Sequence, residues 1–268
     1  MSSSMTTRIK KRPSLAALLN KNLPAMMRKA VLVFALVALT APAFAEEGAG
    51  LQVANTKVGN IASLQRGARL YFNYCSGCHS IKYESYSRLA DDLKLSPDEV
   101  LSNFAFTGAK IGDQIVSNMP ADQAQAWFGK APPDLSLEAR AKGPDWIYTY
   151  LKSFYLDPSR PVGWNNTVFP GASMPNVLWE LQGTQVAHYA PAKPGEEPAI
   201  EKLELSGKGK LSGEEFDAAA RDITAFLQYV GEPAALKREA VGVWAILYLA
   251  FFTFLAWLLN KEYWRDVH

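Results

Sequence analysis

Cysteine and histidine are scarce, at two and three in 268 residues. Two cysteines cannot staple a chain of this length into a disulfide scaffold. The 18 glycines and 16 prolines follow no period, which excludes collagen-like and low-complexity chains. Charged residues make up only 20% against 49% hydrophobic ones, the balance of a folded chain. Acidic residues are absent from the first 45 positions, which carry Arg8, Lys10, Lys11, Arg12, Lys21, Arg28 and Lys29. Setting those seven aside leaves 21 basic residues against 26 acidic ones, so the rest has a net charge of −5 with His neutral. That acidity argues against nucleic acid, which needs a basic face, and suits a basic protein partner. Asp91, Asp92, Glu196 and Glu197 are among the candidate charges.

Long apolar runs number two. The first, Ala30 to Leu39, follows Arg28-Lys29 and precedes Ala43 and Ala45 in an A-x-A pattern. This is the layout of an export signal cut after Ala45, and the run is short for a membrane span. An uncleaved anchor is the plainer alternative. The second run, Ala240 to Leu259, has no charge, and as a helix it is about 30 Å long, one hydrocarbon thickness. Trp244, Tyr248 and Trp257 lie toward its ends, and Lys261, Tyr263, Trp264 and Arg265 follow, as an interfacial belt with a positive stop. The expected layout is a signal peptide over 1–45, an exported domain over 46–236, a transmembrane helix over 240–259 and a cytoplasmic tail over 260–268. The source is then a bacterium, or an organelle of equivalent topology, with the domain on the periplasmic side of the inner membrane.

The exported part reads as mainly α, with long loops. Leu64, Ala68, Tyr71 and Phe72 recur at helical spacing, with Gly67 on the same face. Ser96-Pro-Asp-Glu99 and Ser212-Gly-Glu-Glu215 are capping boxes, the first opening a helix toward Phe106, the second one ending at Gly231. Pro144 to Tyr155 reads as a helix, and residues 200–211 as a small hairpin around Ser206-Gly-Lys-Gly209. The stretches Asp157 to Asn166 and Pro191 to Pro198 are loops, of a length that usually carries function.

Both cysteines fall in one motif, Cys75-Ser76-Gly77-Cys78-His79. C-x-x-C-H is the attachment site of c-type haem. The two thiols reach the two vinyl groups on one porphyrin edge, and the adjacent His donates an axial nitrogen to the iron. A thiol–disulfide pair shares C-x-x-C but expects a βαβ context, whereas the flanks here are helical. Zinc needs a second ligand pair, and only His188 and His268 remain. For the sixth ligand, Met1, Met5, Met26 and Met27 lie in the export segment, leaving Met119, Met174 and the loop residue His188. Both methionines precede Pro, which holds them extended. The helix-free setting Phe169-Pro-Gly-Ala-Ser-Met-Pro175 favours Met174, while Met119 abuts the start of a helix near Asp122 and can serve packing alone.

On these residues the chain resembles the cytochrome c1 family, the haem subunit of the bc1 complex (ubiquinol–cytochrome c reductase), in its bacterial branch. The resemblance is carried by Cys75-Ser-Gly-Cys-His-Ser80 with Lys82-Tyr83, Ala131-Pro-Pro-Asp-Leu-Ser136, Trp164-Asn-Asn166, Phe169-Pro170, Met174-Pro-Asn-Val-Leu-Trp179 and the terminal anchor. It implies a cytochrome c-type fold with one covalent haem c and Met174 as axial ligand. It further implies a carbonyl of Pro132 or Pro133 accepting from the other His79 nitrogen, and Arg140 at a haem propionate. For Arg140 the plain alternative is a solvated helix charge. Gly67 and Tyr71 resemble the first helix of a cytochrome c, crossed closely by the helix at 215–230. The implied role is electron transfer from a Rieske iron–sulfur protein to a soluble or anchored cytochrome c, beside cytochrome b in a lipid bilayer, with no catalysis by the chain alone. Competing readings are an anchored cytochrome c of another oxidase or reductase, and a thiol–disulfide oxidoreductase.

Overall fold

The computed structural model describes residues 50–191 and 198–266. The export segment 1–45, His268, Glu196 and Glu197 lie outside the described residues.

The core forms where two helices cross. Helix α1, Ile61–Tyr74, starts where the Asn60 side chain accepts from the Ser63 amide, and it buries Leu64, Gly67, Ala68, Tyr71 and Phe72 on one stripe. Its spacing of three and four residues is the amphipathic period read from the sequence. The partner crossing it is α8, Gly213–Gly231, opened by the capping box of Ser212 and Glu215. At the crossing a Cβ on Gly67 would collide with the Asp222 carbonyl and the Phe226 Cβ, so only glycine permits the approach. Ser63 Oγ donates to Asp222 at 2.5 Å, and Arg66 Nε donates to the same carboxylate at 2.6 Å. Tyr71 packs on Phe226 with ring centroids 5.5 Å apart, and Phe72 stacks on Phe104 at 4.7 Å.

Between the two core helices come β1 (Ile81–Ser85), α2 (Tyr86–Leu93), α3 (Pro97–Phe104), β2 (Gln114–Ile115), α4 (Ala121–Phe128), α5 (Glu138–Lys142), α6 (Pro144–Lys152), β3 (Phe154–Leu156), β4 (Trp164–Asn166), α7 (Trp179–Gln182), β5 (Gly183–Tyr189) and β6 (Ile200–Lys208). The strands make three separate antiparallel pairs, β1 with β2, β3 with β4 and β5 with β6. Residues before α1 lie across α6 and α8: the Ala54 amide donates to Asp145 at 2.6 Å, and Arg221 donates to the Ala54 carbonyl at 2.8 Å. Helix α9, Ala235–Tyr263, follows α8 after a short turn. Its stretch Val241–Tyr263 is long and apolar enough to cross a membrane, and no part of its most apolar window is buried against the protein.

Four local expectations change, the first being that the loop expected over Asp157 to Asn166 ends in strand β4, Trp164–Asn166. The helix from Pro144 stops at Lys152, and Tyr155 instead pairs with Asn165 in β3–β4. Residues 200–208 are one strand paired back on β5, not a hairpin of their own. The turn lies between Tyr189 and Ile200, while Gly183, Gly207 and Gly209 let the two strands approach too closely for any Cβ. His188, expected in a loop, therefore sits in β5, with Nε2 3.0 Å from Glu204.

Candidate functional site

Helix α1 delivers the Cys75–His79 motif at its C-terminal end. The Cys75 amide donates to Tyr71 O at 2.8 Å, and the Cys75 carbonyl accepts from the amides of Cys78 (3.0 Å) and His79 (2.9 Å). These bonds continue the helix by one further turn and carry the whole motif. Tyr71 Oη donates to His79 O at 2.6 Å, and Ser117 Oγ donates to Gly77 O at 2.8 Å, so the turn is fastened from both sides. Both cysteines are free, Cys75 buried and Cys78 partly so. Burial, and after it the neighbouring Cys78, pushes the Cys75 thiol up to about 12; burial raises Cys78 as well. Protonated thiols are poor exchange nucleophiles, which disfavours a thiol–disulfide enzyme.

The Pro-Pro-Asp-Leu-Ser block explains itself through backbone bonds. Asp134 accepts from the Lys82 amide at 3.1 Å, Ser136 Oγ accepts from the Tyr83 amide at 3.2 Å, and the Leu135 amide donates to Ser80 O at 2.8 Å. The block is thereby laid alongside the residues after His79. This sets Pro133 O 2.7 Å from His79 Nδ1. A carbonyl only accepts, so Nδ1 carries the proton and Nε2 keeps its lone pair. Burial is the main influence holding the imidazole below its ordinary pKa, against the Pro133 bond, which raises it.

His79 and Pro133 face a cleft of about 870 Å³, its open mouth included. Leu135, Ile147, Leu151, Ala172 and Leu227 give it apolar walls, with Trp146, Tyr150 and Phe169 as aromatics and Met174 in the wall as well. The Met174 loop is shaped by Trp164-Asn-Asn166. Fully buried Asn166 accepts from the amides of Val168 (2.9 Å) and Phe169 (3.1 Å) and donates to Tyr150 O (2.8 Å). Gly171, at φ +77, has its amide bound by Asn165 Oδ1 and its carbonyl by Arg160. Tyr150 Oη lies 3.6 Å from Met174 Sδ.

The structure thus brings His79, Pro133 and Met174 to one cleft, with Cys75 and Cys78 in the turn that carries His79. Met119 is not in the cleft wall; it precedes α4, and its amide donates to Ser117 Oγ at 3.2 Å. His188 is paired in β5. Arg140 is exposed on α5 with its Cβ toward Gly231, and the cations that do line the cleft are Lys130 and Lys142. Lys130 lies over Phe169 and Lys142 over Trp146, at 5.2 and 5.5 Å from the ring centroids. Sequence reasoning missed these lysines and the roles of Tyr150, Asn165 and Asn166. The asparagine pair was visible as a motif, but its bonds to the loop were not.

The residues fit haem c. Two free thiols sit in the Cys75–His79 turn, an imidazole and a thioether share an apolar cleft, and Lys130 and Lys142 line that cleft with Glu138. Among the described residues no group of three or more His, Cys, Asp or Glu side chains offers an all-protein metal site. Comparison with known proteins points the same way. The profile described as the Cytochrome C1 family matches residues 56–192 and 212–267. The cytochrome c1 of Allochromatium vinosum is 50% identical over 244 residues, 90% of this chain and 100% of that one. A protein of Nitrosomonas europaea named ammonia monooxygenase gamma subunit is 38% identical over 88% of this chain and 98% of its own length. The mitochondrial cytochrome c1 haem protein of Saccharomyces cerevisiae is 27% identical, over 77% of this chain and 67% of its own. The profile covers most of the chain, and the stronger likeness is to bacterial proteins: the chain belongs to the cytochrome c1 family.

Proposed function

We propose that the chain is a membrane-anchored, monohaem c-type cytochrome that accepts electrons from a Rieske iron–sulfur protein and passes them to a cytochrome c, within a bc1 complex that includes cytochrome b. The observation that carries this is the shared apolar cleft of His79 and Met174, with His79 Nδ1 committed to Pro133. Cys75 and Cys78 would hold the group by thioether bonds, and His79 Nε2 and Met174 Sδ would hold the iron. Haem c supplies a one-electron ferric–ferrous couple, and thioether ligation with burial raises its potential, which suits a late step in a chain. The protein's own part is positional. Pro133 fixes the imidazole, the asparagine pair fixes the Met174 loop, and the apolar walls exclude water. Lys130 and Lys142 would neutralise carboxylates of the group; Arg140 is the weaker candidate for that role, because it does not line the cleft. The chain breaks or makes no substrate bond alone.

Read as an export signal, residues 1–45 support a cleft on the periplasmic side of a bacterial inner membrane, with α9 as anchor and the tail in the cytoplasm. Purification from native membranes tests the assignment. Co-isolation with cytochrome b and a Rieske protein is expected. Co-isolation with monooxygenase or oxidase subunits, and without cytochrome b, overturns it.

A further inference from the structure

We propose that Tyr150 is a positioning residue for the Met174 thioether: its hydroxyl donates to one sulfur lone pair and leaves the other for the iron. This rests on the reading of Met174 as axial ligand. The hydroxyl lies 3.6 Å from Sδ, within reach of a sulfur acceptor. Among the described residues it has no other hydrogen-bond partner. The ring cannot swing away, because it stacks on Trp146 (centroids 5.0 Å, planes 9° apart) and meets Phe154 edge-on at 5.0 Å. The backbone of the same residue is tied to the same loop. Its carbonyl accepts from Asn166, whose side chain also takes the amides of Val168 and Phe169. Tyr150 therefore grips the Met174 loop twice, at its start through Asn166 and at the sulfur itself.

A phenol hydroxyl is a donor and a thioether sulfur can only accept, so the contact has one direction. A donor on the thioether draws electron density from the sulfur. Ferric iron, which needs that density more, is disfavoured relative to ferrous iron. The bond thus orients the ligand and raises the potential. Hydrogen-bond partners of metal ligands commonly act in this way.

The full-length holoprotein with Tyr150→Phe tests the proposal, since Phe keeps the ring packing and removes only the hydroxyl. The readouts are covalent haem content, the red absorption band that reports thioether-to-iron ligation, and the midpoint potential. The expected result is wild-type haem content, a shifted or weakened band, and a lower potential, seen as a ferrous-to-ferric ratio about threefold lower at a fixed poise. Met174→Leu, measured beside it, abolishes the band. If Tyr150→Phe matches wild type in band and potential while Met174→Leu loses the band, the role of the hydroxyl is overturned and the ligand reading stands. If Met174→Leu keeps the band, the ligand reading itself falls, and the role of Tyr150 with it.

Discussion

Glu84 shows how far a single residue can depart from what its sequence neighbours announce. It stands in β1, five residues after His79, with its side chain 1% exposed and neither carboxylate oxygen hydrogen-bonded. Burial pushes its pKa up to about 7, with Arg88, 3.8 Å away and half-exposed, opposing; the Asp92 charge adds to the rise. Tyr229 faces the same group from α8, its hydroxyl donating to Asp92. The folded pKa lies above the unfolded value of 4.5, so the native state binds the extra proton between those two pH values. The contribution of this one group is fully present below pH 4.5 and is lost as pH rises through 7, by up to about 3 kcal/mol. Glu84→Gln removes the charge and keeps the shape. It is expected to flatten this dependence and to exceed wild type at pH 8 but not below pH 4.5. Denaturant unfolding at both ends of the range checks this, and parallel pH profiles for the two proteins would contradict it. Nothing in Lys82-Tyr83-Glu84-Ser85 marks the acid as buried, because alternation in a five-residue strand is too short to show which face is covered. Cys75, Cys78 and His79 were legible for the opposite reason: attachment chemistry fixes both residue type and spacing.

The elements best read from sequence are those whose stability is local. Ser96 and Ser212 announce their helices because a cap satisfies orphan amides within three residues. The α1–α8 crossing was foreshadowed by Gly67 in an otherwise apolar stripe, although the partner atom, Asp222 O, was not. Gly67→Ala tests that crossing. The new methyl meets backbone, which cannot swing aside, and displacing Asp222 also strains its bonds to Ser63 and Arg66. Overpacking costs about 1–3 kcal/mol, against a helix-propensity gain of at most about 1 kcal/mol. A net loss, seen as a melting temperature lower by several degrees, is expected in the haem-loaded protein, and an unchanged melting temperature would contradict the crossing. The β5–β6 pair was misplaced for a physical reason. Strand pairing is non-local, so the weak alternation of 200–208 gave no sign that its partner lay before the Pro191–Pro198 stretch. The end of α6 was misjudged likewise, since Phe154 and Tyr155 suit a helix face and a strand equally well.

At the scale of the whole molecule, the separation of an acidic body from a terminal apolar helix was plain in the sequence, since long apolar runs and charge counts need no contact information. The cleft was not, because the turn after α1, helices α5, α6 and α8 and two loops form it together. Charge also bears on the proposed acceptor. With −5 on residues 46–268, a basic acceptor is steered toward the protein, and that steering is screened beyond about 8 Å at physiological ionic strength. The expected outcome in stopped flow is a second-order rate that falls as salt rises. A flat profile would mean that apolar contacts at the cleft, not charge, govern docking. The central claim is that Cys75, Cys78 and His79 form a haem attachment site, and acid–acetone extraction of the purified chain measures it directly. One haem per chain is expected to survive extraction, and none in the protein carrying both Cys75→Ala and Cys78→Ala. A wild-type chain that releases all its haem, or a variant lacking both cysteines that keeps it, would contradict the claim.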